Sequence, residues 1–169
     1  MLESPAIAPE ESMQASLPMR RGLYFEEFTL GQTLRTPGRT VTEADIVGFA
    51  GLSGDFNLIH TDAVYAATTP FGQRVAHGLL GLAIASGLAV RSGVLEGTVL
   101  AFREIREWKF SQPVFIGDTL TVEMHVTEVK AFPRLGGGSV VLELNVLNQG
   151  GAVVMKGSWN VLVQSRPSG

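Results

Sequence analysis

A carboxylate and an imidazole stand five positions apart in the segment Gly54–His60, which reads GDFNLIH. In a loop, five residues can double back so that Asp55 and His60 face one cavity and divide proton donation and acceptance between them. The alternative is that Asp55 only caps a turn and that His60 is a hydrogen-bonded structural histidine, since both types are ordinary turn residues near glycine. Asn57 either orients this pair, holds a substrate oxygen or satisfies backbone groups of the loop. Spacing alone leaves these alternatives open.

A second pair, His77 and Gly78, opens a long apolar segment seventeen residues after His60. At a helix N-terminus the Gly78 amide is an unpaired donor and the helix dipole favours negative charge, so an enolate oxygen can bind there. Alternatively, His77 caps the helix and Gly78 permits close packing. Ser86, further along the same segment, can reach a ligand or can bond back to a carbonyl one turn earlier.

The sequence predicts no metal centre. Cysteine is absent, and the spacing of the three histidines, His60, His77 and His125, does not match a zinc site. His125 alternates with strand residues and is expected at a surface or an interface. The glycines at 136–138 are not followed by Lys-Ser/Thr, so they predict a hairpin turn and not a phosphate loop.

Helix signals fall in the first half of the chain. An N-cap at Thr42 predicts an amphipathic helix that ends near Gly54, where glycine permits the left-handed backbone of a helix end. The segment 55–60 is predicted as an irregular loop, and 62–68 as a short helix. The segment 78–90 is apolar on nearly every face, and such a helix is stable in water only if neighbouring elements cover it all round.

The remaining segments predict strands, because Val, Leu, Thr and Phe are enriched between turn signals. The predicted strands are Gln32–Thr40, Thr98–Trp108, Thr119–Lys130, Ser139–Leu147 and Ala152–Val163. In residues 119–127 polar and apolar side chains alternate, which indicates one packed face. The fold class is therefore α+β, with an antiparallel sheet of about five strands around one long central helix.

Composition excludes several classes of protein. The chain has 169 residues, of which 45% are hydrophobic, and its net charge is −3 without a basic stripe, so we expect one domain and no nucleic-acid partner. The longest apolar run, Leu79–Val90, is too short to span a membrane. The absence of cysteine and of a signal-peptide pattern favours the cytoplasm. Residues 1–21 are expected to form a flexible tail, 22–163 the domain, and 164–169 a C-terminal tail.

Four separated motifs occur together in this order: GDFNLIHTD at 54–62, AHGLL at 76–80, SGL at 86–88 and FSQPVFIGDTL at 110–120. With them the chain, over about residues 22–163, resembles the MaoC-like dehydratases, which include the (R)-specific enoyl-CoA hydratases. The resemblance implies a hotdog fold, in which a curved antiparallel sheet wraps a long helix, and it implies a homodimer or a higher oligomer built from dimers. The family commonly has proline at the position of Leu58. This difference does not involve a reactive group.

The resemblance also implies roles. Asp55 and His60 are expected to hold a water molecule and handle its protons, while the Gly78 amide binds the thioester carbonyl. The expected substrate pocket includes Asn57, His77 and Ser86. The implied reaction is hydration of trans-2-enoyl thioesters to (R)-3-hydroxyacyl thioesters, with coenzyme A or acyl carrier protein as part of the substrate and no cofactor. The alternatives are an acyl-CoA thioesterase and a noncatalytic subunit that binds acyl chains or completes a heterodimer.

Overall fold

The computed structural model describes residues 22–167, and the predicted tail at 1–21 lies outside the described residues. The helices are α1 (Glu43–Ser53), α2 (Leu58–Thr61), α3 (Ala63–Ala67) and α4 (Gly78–Arg91). The strands are β1 (Thr33–Arg35), β2 (Arg39–Thr40), β3 (Val99–Phe110), β4 (Thr119–Phe132), β5 (Gly137–Leu147) and β6 (Val153–Gln164). Short 3-10 turns occupy Phe25–Glu27 and Pro133–Leu135.

The strands form one antiparallel sheet in the order β1-β4-β5-β6-β3, and β2 also pairs with β4. The inward side of α4, including Leu80, Ile84 and Leu88, belongs to the same buried core as Val122 and Leu144 of the sheet. This arrangement of a sheet around a long helix confirms the predicted α+β hotdog fold.

The first predicted strand is divided into β1 and β2. Pro37 lies between them and has no N–H to donate, so the hydrogen bonds to the neighbouring strand are interrupted at this point. Gly38 is needed for space, because a Cβ there would lie 2.9 Å from the Thr119 Cγ2. The other four predicted strands are confirmed, with ends that differ by no more than two residues.

The predicted signals at both ends of α1 are confirmed. The Thr42 hydroxyl accepts the Asp45 amide proton, and the Asp45 carboxylate in turn accepts the Thr42 N–H at 2.8 Å. Gly54 ends the helix in the left-handed conformation, with φ 77°. The loop predicted over 55–60 is wrong in its second half, because Leu58–Thr61 forms the helical turn α2.

One side of α4 is not covered by the rest of the described chain. Leu79 is 62% exposed and Val90 is 44% exposed, and Ala83 and Ser86 between them are exposed too. The expectation that neighbouring elements enclose this helix is therefore only half met within residues 22–167. None of the helices in this range is long and apolar enough to cross a membrane.

Candidate active site

The His60 ring is anchored at one edge. His60 lies in α2 and is 7% exposed, and its Nδ1 lies 2.7 Å from the carbonyl oxygen of Val75. Because a carbonyl can only accept, Nδ1 carries the hydrogen and donates it. The Val75 amide donates in turn to the Ile59 carbonyl at 3.1 Å. Val75 is therefore hydrogen-bonded to two consecutive residues of α2, Ile59 and His60. In the neutral ring, Nε2 therefore carries the free lone pair.

The His77 ring lies against that of His60. The two ring centroids are 3.8 Å apart and the planes differ by 28°, which is a stacked pair. His77 is 3% exposed and precedes α4, and its Nε2 donates to the main-chain oxygen of Asp55 at 2.9 Å. Phe49 of α1 lies against the same histidine at 5.0 Å between centroids. One buried ring thus links Asp55, His60 and the start of α4.

Asp55 lies next to both histidines. A carboxylate oxygen of Asp55 and one ring nitrogen each of His60 and His77 all lie within 4.8 Å of one another. Its Oδ1 also accepts the Asn57 N–H at 3.2 Å. Asp55 therefore caps a turn, as the alternative interpretation expected, and also lies beside the two histidines. The fold therefore brings together the carboxylate and the imidazole that the sequence analysis singled out.

The same three groups need to be considered as metal ligands. Both histidines donate their other ring N–H to a carbonyl, a pattern that metal-binding histidines share. However, a metal lies near the plane of each ligating ring, and two rings stacked with their centroids 3.8 Å apart and their planes 28° apart do not favour a shared ion. The absence of a metal stays a prediction.

Gly78 opens α4 beside a cavity of about 360 Å³. Among residues 22–167 the Gly78 amide has no hydrogen-bond partner, as expected for the first turn of a helix. The cavity is lined by the segments 75–78 and 110–114 together with Phe71, Gly81 and Met155. A Cβ on Gly78 would lie 2.9 Å from the Phe110 ring, so only glycine lets this aromatic wall approach the helix start.

The other two predicted pocket residues are Asn57 and Ser86. Asn57 is the N-cap of α2, and its side-chain oxygen accepts the Ile59 N–H at 3.3 Å. Ser86 lies on the exposed side of α4 and does not line the cavity next to Gly78. Their roles in substrate binding stay predictions.

The sequence analysis did not single out Val75, which holds the ring of His60 in the candidate site. Its contribution is a backbone carbonyl, which any residue type provides, so the sequence carries no signal for it. Phe110 lies in a motif that the resemblance used, but its contact with Gly78 depends on how β3 crosses the start of α4. These contacts join residues distant in sequence, and only the fold reveals them.

Residues 26–144 match the family described as MaoC like domain. The chain belongs to this family. The MaoC-like chain is 46% identical over 107 residues to the protein MaoC of Klebsiella aerogenes, a match that covers 63% of this chain and 31% of that protein. The chain thus spans about a third of that relative's length.

Two further relatives of the MaoC-like chain are named after an enzymatic activity. It is 34% identical over 143 residues to the (R)-specific enoyl-CoA hydratase of Rhodospirillum rubrum, covering 85% of this chain and 93% of that protein. The solved structure of the unliganded R-hydratase PhaJ1 from Pseudomonas aeruginosa superposes with a TM-score of 0.73 at 33% identity, covering 86% and 88% of the two chains. Both of these relatives are named as hydratases.

Proposed function

We propose that the protein reversibly adds water to trans-2-enoyl thioesters and forms (R)-3-hydroxyacyl thioesters. The observation that carries this proposal is the convergence of the Asp55 carboxylate and the His60 imidazole within 4.8 Å, with His77, the residue before the unpaired Gly78 amide, in contact with both of them. The named hydratase relatives support the substrate class. No cofactor enters the reaction, and coenzyme A or acyl carrier protein is part of the substrate.

In the proposed reaction, the water oxygen bonds to C3 and keeps one of its two protons as the hydroxyl of the product. The Asp55 and His60 pair accepts the other water proton and supplies one proton to C2, so the pair ends with the protons it began with. Because Nδ1 of His60 is committed to Val75, its Nε2 is the nitrogen that exchanges a proton in either charge state. Groups positioned in this way typically contribute about 10²- to 10⁴-fold each. The chemistry needs no covalent intermediate.

Charge builds on the thioester oxygen as C2 becomes enolate-like. The Gly78 N–H is proposed to stabilise this oxygen, and the N-terminal end of α4 adds a favourable dipole. One such donor accounts for about 3 to 4 kcal/mol in other enzymes.

The proposal includes a homodimer. Strand β3 lies at one edge of the sheet, and Phe102, Ile105 and Phe110 oppose the core residues of β6, so they face the side of the sheet that α4 covers. These three side chains are 42–53% exposed. A second copy that pairs its own β3 antiparallel to this edge would cover them and the exposed side of α4. The cytoplasm as the place of action stays a prediction.

The experiment is an assay of the full chain with trans-2-butenoyl-CoA. Loss of the ultraviolet absorbance of the conjugated thioester without release of free thiol is the expected result, and an (R)-specific dehydrogenase should then oxidise the product. The Asp55→Asn variant should lose about 10²-fold or more of kcat. Thiol release would indicate a thioesterase instead, and no turnover of a graded series of enoyl thioesters would favour a noncatalytic subunit.

A further inference from the structure

His77 contacts both members of the proposed catalytic pair. It donates a hydrogen bond to the main chain of Asp55 and stacks on the ring of His60. We propose that His77 is a positioning residue that fixes these two groups relative to each other, an inference that rests on the hydration function proposed above. This role differs from lining a substrate pocket, because it acts through the two neighbours.

The hydrogen bond fixes the chain that carries Asp55. Asp55 lies in the connection between α1 and α2, is exposed, and is held on its amide side by the Ser53 hydroxyl at 3.2 Å. On its carbonyl side the contact is the His77 Nε2 at 2.9 Å. His77 directly precedes α4, the longest helix and part of the core, so a rigid element holds an exposed connection in place.

The stack fixes the ring of His60. Its edge is held by the Val75 carbonyl, and one face lies on His77 at 3.8 Å between centroids. An edge contact alone leaves rotation about that hydrogen bond, and a flat neighbour on one face removes this freedom. Together the two contacts aim Nε2 in one direction.

An unpaired buried atom shows that His77 is poorly suited to simple packing. Its Nδ1 is fully buried and has no hydrogen-bond partner within the described residues. Burying an unpaired polar atom is unfavourable, and a phenylalanine would fill the same space without that cost. The imidazole is therefore explained by its donating Nε2–H, the feature that phenylalanine lacks.

Two variants separate the two contacts. His77→Phe keeps a ring for the stack and removes the donor, whereas His77→Gln keeps an amide donor and removes the ring. We expect each variant to lower kcat by up to about 10²-fold while KM stays within about twofold, as for misplacement of reacting groups by about 1 Å. His125→Phe is the matched control, because His125 lies in β4 on the other side of the sheet from the core and should leave kcat unchanged.

A second readout does not depend on activity. In NMR spectra of the full chain, His77→Phe should raise amide exchange at Phe56 and Asn57, and His77→Gln should shift the ring signals of His60. Unchanged kcat in both variants, or a raised KM with kcat intact, would overturn the positioning role. If the wild-type chain hydrates no enoyl thioester, the proposed function fails, and the NMR comparison still decides whether His77 holds the two residues.

Discussion

The Nδ1 of His60 donates a hydrogen bond of 2.7 Å to the carbonyl oxygen of Val75, fifteen residues further along the chain. This contact fixes the tautomer of the neutral ring and leaves the lone pair of Nε2 free. In the proposed reaction the two nitrogens of one side chain therefore have separate tasks, one in holding the ring and the other in proton transfer. Substitutions that imitate one nitrogen at a time can separate these tasks.

The first prediction concerns His60→Asn and His60→Gln. The amide of asparagine imitates Nδ1, so His60→Asn should keep the bond to Val75 and lose about 10²- to 10⁴-fold of kcat/KM. Glutamine imitates Nε2 and leaves the Val75 carbonyl unpaired, which should lower the free energy of unfolding by about 1–3 kcal/mol. Urea unfolding and hydration assays on both variants check this. Equal stability of the two would show that the bond to Val75 contributes nothing.

The second prediction concerns Gly78 and Phe110. A Cβ on Gly78 would meet the Phe110 ring at 2.9 Å, so Gly78→Ala should displace the helix start and lower kcat. In a Phe110→Ala background there is room for the methyl group, and Gly78→Ala should then be tolerated. Gly78→Pro in that same background has space and helical geometry but no N–H.

These double variants isolate the amide donor. We expect Gly78→Pro with Phe110→Ala to lose about 10²- to 10³-fold of kcat relative to Gly78→Ala with Phe110→Ala, because only the former lacks the oxyanion donor. Initial rates with trans-2-butenoyl-CoA measure this ratio. If the two double variants turn over at the same rate, the Gly78 amide does not bind the developing oxyanion.

Local signals were sufficient for part of the fold. Thr42, Asp45 and Gly54 specify both ends of α1, since a capping box and a left-handed glycine act within one turn of the chain. The alternation in β4 likewise predicted a strand with one packed face, and Val122 and Met124 are buried as it required. Such features depend on neighbours in sequence, and a single sequence carries them.

Long-range contacts were not predictable in the same way. The stack of His77 on His60 requires α2 and the start of α4 to meet, and the Val75 carbonyl has no side-chain signature. The short helix α2 was missed because a single turn of four residues has too little periodicity to detect. The resemblance named the candidate residues, whereas the contacts that orient them required the structure.

The third prediction is a pH dependence of stability. Burial disfavours the charged form of Asp45, but hydrogen bonds from Thr42 and from the Arg39 guanidinium outweigh it and lower the pKa of this carboxyl. A lowered pKa in the folded state means that the stabilisation is fully present above the unfolded pKa of about 4 and is lost as the pH falls through the folded value.

The Asp45→Asn variant should therefore be less stable than the wild type at pH 7 by about 1.5–3 kcal/mol, the range for hydrogen bonds to charged groups. The difference should shrink as the pH is lowered below about 4. Urea unfolding curves at a series of pH values measure it. A difference that persists unchanged at low pH would assign the effect to the shape of the side chain and not to its charge.

The fourth prediction tests the β3 edge as the dimer interface. Ile105→Lys places a charge on an apolar side chain that is 42% exposed, and across a twofold axis two such charges would lie near each other. Sedimentation should show twice the 18.1 kDa chain for the wild type and 18.1 kDa for the variant. Leu135→Lys, at the exposed β4–β5 hairpin, is the matched control and should remain dimeric. A monomeric wild type would contradict the proposed homodimer.

The fifth prediction separates the acid–base site from a metal centre. Asp55, His60 and His77 are close enough to suggest chelation, yet the two imidazole rings are stacked, and a metal lies near the plane of each ring that binds it. Prolonged dialysis against EDTA should therefore leave kcat unchanged, and elemental analysis should find well below one metal ion per chain. A tetrahedral zinc site would instead require both ring nitrogens about 2.0–2.1 Å from one point, which needs the stack to open. Activity lost on dialysis and restored by Zn²⁺ would overturn the acid–base assignment.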